Sequence, residues 1–310
     1  MINNDVLRKT GSKTQLCALK SYTFNNGREK GVNVLEANNG IFNFTMLPDK
    51  ALDIGQVYYK GKNISFVSRN GNYAPQDASF TFANRFPGGM LYTCGLDGLS
   101  QTEDAPIHGS LHNIPAEIVS TEDGDKIKVV AKVKQCTLFG QSLTVTRTIE
   151  TEYGSNKITV CDNILNDGYV DAKYVILYHV NFGYPFLDEN TKIIAPITQT
   201  VPINEHAKID AENCLNMQLP EDEGIEKCYY HLLKQGDVCV TSPNLNLKAT
   251  VNYDVAQLPH LVEWKSMVSG AYALGIEPSS SRFFEELNYK TLKPGESVNL
   301  GVTITVEETK

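Results

Sequence analysis

The sequence predicts an all-β protein built as one large antiparallel β-sandwich. Short apolar runs alternate with turn-forming pairs along all 310 residues, and such regular spacing of strands and turns is typical of sandwiches and barrels. Within the runs, apolar and polar residues alternate with the period of two that half-buried strands require. No segment carries apolar residues at helical spacing over several turns. We therefore expect a single β-sandwich domain over residues 1–310, with no linker or internal repeat.

The predicted turns contain glycine after asparagine, aspartate, glutamine or proline. They are Asn26-Gly27, Asn39-Gly40, Asn70-Gly71, Asp123-Gly124, Asp167-Gly168, Gln235-Gly236 and Pro294-Gly295. Alternation is clearest in residues 127–133, 143–149 and 302–306, which we expect to cover the core with one face each. Residues 195–224, which are rich in proline and acidic side chains, are interpreted as a long excursion between strands.

Composition and charge exclude several classes of protein. The net charge is −8 and the chain has no basic cluster, so we expect no nucleic-acid partner. No apolar run approaches the roughly 20 residues that cross a bilayer, and the start lacks the pattern of a secretory signal; a cytoplasmic protein without membrane contact is expected. The seven cysteines are odd in number and contain no C-x-x-C, which argues against a disulfide framework or a structural zinc site.

The stretch of residues 174–182 is predicted to be a central strand that carries the first candidate for chemistry. Alternation places His179 and Asn181 on one face with Val175 and Leu177. Both faces of this strand are largely apolar, so we expect it to be covered on both sides. A histidine buried there needs a hydrogen-bond partner or a ligand. A satisfied core histidine and a functional histidine both remain open.

A second predicted strand, in residues 270–278, has one face made of small residues. Alternation puts Ala271, Ala273, Gly275 and Glu277 on that face, which leaves room for a ligand to lie on it. The apolar neighbours of Glu277 favour a raised pKa for its carboxyl group, and this suits a general base. A salt bridge at the end of the strand is the alternative interpretation.

Three further residues have side chains suited to binding a sugar. Arg85, between two phenylalanines, offers a planar guanidinium that can hydrogen-bond vicinal hydroxyls, or can pair with an acid to fix its loop. Trp264, the single tryptophan, can stack on a sugar ring or belong to the core. Asp53 can accept hydrogen bonds from hydroxyls or cap a turn.

His108 and His112 have the H-x-x-x-H spacing of two zinc ligands on a helix. Gly109 and the flanking prolines argue against a helix at this point. On an extended strand, positions four apart lie roughly 13 Å from each other, too far to share one ion. We therefore expect no metal site, and interpret His108 as a hydrogen-bond donor at a crowded turn.

In their order along the chain, these motifs resemble those of the aldose 1-epimerase (galactose mutarotase-like) superfamily. Asn84-Arg85 resembles its N-R motif, and His108-Gly109 resembles its H-G motif. His179, with Asn181-Phe182, is similar to its second histidine segment, and Glu277 to its catalytic glutamate. The resemblance covers about residues 31–306 and is nearest to a less characterised branch. The chain departs from the family at Tyr178, where asparagine is usual, and at Ser110, where glycine is usual.

The resemblance implies a supersandwich fold and an isomerase that interconverts sugar anomers without a cofactor or a metal. Glu277 would be the base and His179 the acid. The substrate, a small sugar or sugar derivative, would be held by Arg85, His108, Asn181, Asp53, Trp264 and Lys265. The arginine and the lysine together would suit an anionic sugar.

Two other functions and the oligomeric state stay open. The first alternative is a non-catalytic carbohydrate-binding protein on the same sandwich. The second is a metal-dependent sugar isomerase that uses His108, His112 and His179. The sequence does not fix the number of subunits, a homodimer included.

Overall fold

The computed structural model describes residues 2–73, 81–100, 105–283 and 286–309. These residues form 20 strands, three short α-helices and six 3-10 helices. The strands are β1 (Ala18–Thr23), β2 (Asn33–Asn38), β3 (Phe42–Leu47), β4 (Asp53–Tyr59), β5 (Lys62–Asn63), β6 (Leu91–Leu96), β7 (Glu117–Glu122), β8 (Lys126–Cys136), β9 (Ser142–Glu152), β10 (Lys157–Asn166), β11 (Ala172–Gly183), β12 (Lys192–Ile194), β13 (Ile197–Pro202), β14 (Lys227–Leu233), β15 (Gly236–Ser242), β16 (Leu247–Tyr253), β17 (His260–Val268), β18 (Ala271–Ser279), β19 (Lys290–Leu292) and β20 (Ser297–Glu308). The α-helices are α1 (Asn4–Leu7), α2 (Phe82–Arg85) and α3 (Glu205–Ile209). The 3-10 helices are Lys13–Gln15, Gly27–Glu29, Pro48–Lys50, Leu111–Asn113, Ala211–Asn213 and Pro243–Leu245.

The strands pair into three antiparallel sheets, which confirms the predicted all-β class. The first sheet has the order β1-β2-β3-β4-β5. The second has eight strands in the order β12-β15-β16-β20-β10-β9-β8-β7. The third has the order β13-β14-β17-β18-β11-β19, and β6 also pairs with β11. The third sheet carries both strands that the sequence singled out, β11 and β18.

The third sheet is covered by apolar side chains on both faces. On β11, Ile176 and Tyr178 belong to the main core. Val175 and Leu177 belong to a second apolar cluster on the opposite face. The predicted burial of β11 on both sides is therefore confirmed. Because the second cluster is rich in aromatic residues, it supplies an apolar floor next to His179.

The three segments with clear alternation lie in β8, β9 and β20, and their apolar faces are buried as predicted. The exception is on β9, where Arg147 stands on the buried face. Its guanidinium donates to both oxygens of Asp162, at 2.8 and 2.7 Å, and to Asp53 Oδ1 at 2.6 Å. Thr93 Oγ1 also accepts from Arg147, and the Tyr178 hydroxyl donates to Asp162. These contacts join strands of all three sheets.

Residues 195–224 are more ordered than the predicted excursion. They contain strand β13, which pairs with β14 at the edge of the third sheet, and helix α3. The backbone of Glu221 exchanges hydrogen bonds with Met267 and Ser269, which ties the segment to the end of β17. All seven cysteines are free, and Cys136 and Cys161 are exposed. Within the described residues, no helix has the length and apolar content needed to span a membrane.

Candidate active site

His179 and Glu277 face each other on neighbouring strands. In the register of β11 and β18, Val180 lies opposite Ile276, so His179 and Glu277 stand at the same level on one face. His179 Nε2 lies 3.0 Å from Glu277 Oε1, and both side chains are almost fully buried. Among the residues that the structure describes, Glu277 Oε1 and His179 Nδ1 have no hydrogen-bond partner, so the contact itself is not a hydrogen bond. The pair is thus in contact but retains hydrogen-bonding capacity for a ligand.

Gly275 provides the space in which this pair meets. A Cβ atom at Gly275 would lie 2.4 Å from Glu277 Oε1 and 2.9 Å from His179 Cε1. Real Cβ atoms do not approach other heavy atoms so closely, so either side chain would have to move. The small-residue face predicted for β18 therefore serves the histidine–glutamate pair.

Burial shifts both members of the pair towards their uncharged forms. It raises the pKa of the Glu277 carboxyl well above its usual range, and the nearby Glu226 adds to this shift. Burial also lowers the pKa of His179 well below its usual range; His108 adds to the shift and the Asn181 side chain opposes it. Burial therefore favours a protonated carboxyl group at Glu277 and a neutral imidazole at His179.

The pair opens into a pocket of about 170 Å³. This volume lies below the roughly 300–1,000 Å³ of drug-sized ligand pockets and suits one small ring. Trp264 and Phe86 stand beside His179, each with a ring centroid 5.4 Å from the imidazole. The lining residues are Phe82, Phe86, Ile107, His108, His179, Glu226, Cys228, Val262, Trp264, Glu277 and Phe283.

His108 lies in the pocket wall in a left-handed backbone conformation, with φ 68°. Its amide donates to Leu99 O at 2.6 Å, and its carbonyl accepts from the Gly95 amide at 2.9 Å. The imidazole stacks on Phe283, and its Nδ1 lies 3.4 Å from Cys94 Sγ. Burial, with His112 nearby, lowers the pKa of His108 to about 3. The ring is therefore neutral at physiological pH and has one nitrogen able to donate.

The structure corrects two of the predicted substrate contacts. Lys265 is fully buried, and its ammonium group donates to three backbone carbonyls, of Asn213, Cys214 and Asn216, on the other side of the sheet. Adjacent residues of a strand point to opposite faces, so Lys265 cannot share the pocket with Trp264. Asp53 is also fully buried outside the pocket, because its carboxylate is bound by Arg147, Thr93 and His112.

Asn181 and Arg85 also lie outside the pocket lining. Asn181 is fully buried, and its amide donates to the carbonyls of Gly89 and His179. Arg85, at the end of α2, has its guanidinium 6.0 Å from the Tyr73 ring, and within the described part of the chain its Nε and Nη2 have no hydrogen-bond partner. Asn181 thus holds the backbone at His179 in place. Arg85 lies apart from the pair formed by His179 and Glu277.

Glu226 is the pocket residue with a polar side chain that the sequence analysis did not identify. It lies just before β14, and its Oε2 accepts a hydrogen bond from Trp264 Nε1 at 2.9 Å. The aromatic wall formed by Phe82, Phe86 and Phe283 was also not predicted. Phe82 and Phe86 lie together at helix α2, but Glu226 and Phe283 come from two other segments, and no local spacing in the sequence indicates that the three segments meet.

His108 and His112 do not form a pair of metal ligands. The His112 ring stacks on Tyr92, with centroids 3.7 Å apart, and its Nδ1 lies 2.7 Å from Asp53 Oδ2. In the part of the chain that the structure describes, no group of three or more histidine, cysteine, aspartate or glutamate side chains is arranged to hold a metal ion. The metal-dependent isomerase therefore has no set of ligands among these residues.

The fold is that of the aldose 1-epimerase and galactose mutarotase-like structures. One of them, a protein from Klebsiella pneumoniae named "putative aldose 1-epimerase", is 22% identical with a TM-score of 0.85, over 99% of this chain and 87% of that chain. A galactose mutarotase-like protein from Clostridium acetobutylicum is 15% identical with a TM-score of 0.67, over 95% of this chain and 100% of that chain.

The chain belongs to the family described as "Domain of unknown function (DUF4432)", whose model matches residues 29–306. A search of curated protein sequences found no match. The structural likeness establishes the fold alone, because one fold can serve unrelated functions.

Proposed function

We propose that this protein is an aldose 1-epimerase-like isomerase that interconverts the anomers of a sugar. The observation that carries the proposal is the contact between His179 Nε2 and Glu277 Oε1, 3.0 Å apart in a small aromatic pocket. A proton donor and a proton acceptor side by side are the groups that mutarotation requires.

In the proposed reaction, Glu277 removes the proton of the anomeric hydroxyl. The bond between the anomeric carbon and the ring oxygen breaks, its electron pair stays on the ring oxygen, and His179 protonates that oxygen. The open-chain aldehyde rotates, and the reverse steps close the ring on the other face. No proton is gained or lost overall, because one enters the pair as the other leaves it.

The protonation state of the free pair supports these roles. Burial favours one shared proton, which resides on the carboxyl group because the pKa of Glu277 is raised and that of His179 is lowered. Transfer of this proton to His179 gives the reactive form, a carboxylate beside an imidazolium, without an exchange with solvent. The two atoms lie 3.0 Å apart but are not aligned as a hydrogen bond, so the transfer follows a small reorientation of the side chains when the sugar binds.

The remaining lining suits a neutral sugar rather than the anionic sugar suggested by the sequence. Trp264 offers an aromatic face for the apolar side of the ring. Glu226 can accept hydrogen bonds from hydroxyl groups, and His108 can donate one. The lining contains two carboxyl groups, of Glu226 and Glu277, and no lysine or arginine among the described residues. An anionic substrate would therefore face the Glu226 side chain without a lysine or arginine of the lining to pair with it.

The test is the rate of anomer exchange, measured by NMR across a panel of neutral and anionic sugars. We expect the wild-type protein to accelerate exchange of at least one neutral sugar. The substitutions Glu277→Gln and His179→Asn should each reduce the acceleration by about 10²- to 10⁴-fold, which is the usual contribution of a general acid or base.

The chain offers a matched control in the buried pair His231 and Glu263, which lie 2.7 Å apart away from the pocket. Glu263→Gln and His231→Asn remove the same chemical groups, and should leave exchange by the folded protein nearly unchanged. Saturable sugar binding without any acceleration would instead indicate a carbohydrate-binding protein.

A further inference from the structure

A second cavity, of about 550 Å³, lies on the other side of Phe66 from the pocket. Phe66 forms part of the wall between them, because its ring packs against Phe86 and Trp264 at centroid distances of 6.5 and 6.4 Å. The cavity lies where β4, the end of β11 and the start of β18 meet. We call it the Tyr184 groove and define it by Gln56, Phe66, Tyr184, Asp188, Glu189 and Tyr272.

The groove combines an exposed aromatic ring with polar groups that have no protein partner. Tyr184 is 74% exposed, although tyrosine usually buries most of its ring. Hydrogen bonds occupy neither the Tyr184 hydroxyl, nor Gln56 Oε1, nor the Glu189 carboxylate, in the part of the chain that the structure describes. An aromatic face next to free acceptors is the combination that binds a sugar ring, whose C–H face packs on the aromatic group while its hydroxyls donate.

The charged side chains of the groove determine which class of ligand it can bind. Its lining contains the carboxylates of Asp188 and Glu189 and no lysine or arginine among the described residues. Both carboxylates act on Tyr272, whose pKa is raised by burial and then by Glu189 and Asp188. Arg69 borders the groove at Gly270, where its guanidinium is occupied by the carbonyls of Ser269 and Gly270. The carboxylates of the lining are acceptors for the hydroxyls of a neutral sugar.

We propose that the Tyr184 groove is a second binding site, for a neutral saccharide of one or two rings. Its volume is about three times that of the pocket, from about 550 and 170 Å³, so it can hold a larger saccharide. The proposal goes beyond anomer exchange and does not depend on it, because the groove contains neither His179 nor Glu277.

Calorimetric titration with methyl β-galactoside, methyl α-glucoside and lactose tests the proposal. Methyl glycosides have no free anomeric hydroxyl, so their binding is separate from catalysis. We expect saturable binding of at least one probe to the wild-type protein. Tyr184→Ala should weaken this binding at least tenfold, and Glu189→Gln should weaken it by a smaller factor, because it keeps one acceptor oxygen.

Tyr169→Ala is the matched control, because Tyr169 is 98% exposed and lies outside the groove. It should leave the affinity unchanged, and Tyr184→Ala should leave the rate of anomer exchange of monosaccharides unchanged. Two results would overturn the proposal: no saturable binding of any probe, or binding that Trp264→Ala removes and Tyr184→Ala does not weaken. Neither result affects the anomer exchange assay, so the proposed function is tested independently of the groove.

Discussion

At the scale of single residues, the direction of each side chain decides which of the candidate residues share one pocket. His179, His108, Trp264 and Glu277 all line the pocket. Lys265 follows Trp264 directly on β17, so strand alternation alone could have excluded it. For Asp53, no such signal exists, because its partners Arg147, Thr93 and His112 are distant along the chain.

The pKa of His108, lowered to about 3 by burial, predicts how stability depends on pH. The unfolded chain binds a proton at this histidine below about pH 6.5, whereas the folded protein does not bind it until about pH 3. The stabilising contribution is therefore complete above pH 6.5 and is lost as the pH falls towards 3. The loss amounts to at most roughly 5 kcal/mol.

His108→Asn should therefore flatten the fall in the free energy of unfolding between pH 6.5 and 3, measured by urea denaturation. Asparagine tolerates the left-handed backbone conformation at this position. The exposed His206 on α3 is the control, and His206→Asn should keep the wild-type slope. An unchanged slope in His108→Asn would contradict the assignment of a neutral, buried His108.

At the scale of elements, the sequence predicted the faces of the two key strands but not their pairing. Alternation placed His179 and Glu277 each on an identified face of β11 and β18, and the structure has the same faces. About a hundred residues separate the two strands, and local spacing cannot determine which strands pair across such a distance. The antiparallel register of β11 and β18 is what brings the two side chains to the same level.

Gly275→Ala tests whether the small-residue face of β18 is needed to position His179 and Glu277. The added Cβ would lie 2.4 Å from Glu277 Oε1, so it should displace the carboxyl group while the strand stays paired. We expect the rate of anomer exchange to fall about 100-fold, as for a misplacement of about 1 Å, and measure it by NMR.

Gly11→Ala is the control, since the nearest heavy atom to its added Cβ would be Gln15 Oε1 at 3.7 Å. This variant should exchange anomers at the wild-type rate. A Gly275→Ala protein that is folded and fully active would show that the close approach of strand and side chains is not needed for the reaction.

At the scale of the whole molecule, Arg147 links the three sheets through Asp53 on β4, Asp162 on β10 and Thr93 on β6. The prediction of a β-sandwich did not depend on Arg147, because the period-two pattern of β9 tolerates one exception. Arg147 and Asp162 are partners on the neighbouring strands β9 and β10, but the rest of the network could not be predicted, since Asp53 and Thr93 belong to the two other sheets. A charged residue on the apolar face of a strand is nevertheless a visible signal that a buried partner exists.

Arg147→Met should destabilise the protein by about 3–5 kcal/mol, because it leaves Asp53 and Asp162 as buried carboxylates without their cation. Urea denaturation at neutral pH measures the free energy of unfolding. Lys60→Met, which breaks the exposed ion pair with Glu308, is the control and should change that free energy little. A similarly small change in Arg147→Met would contradict the role of the network.

The central claim is that His179 and Glu277 act as one unit that shares a proton. The most direct measurement is the anomer exchange rate of the double variant Glu277→Gln, His179→Asn beside the two single variants, with a neutral sugar that the wild-type protein accelerates. Groups that act as a unit have non-additive effects, so the double variant should be about as slow as the slower single variant. A double variant whose loss is the product of two independent losses, or a single variant that keeps the wild-type rate, would contradict the account.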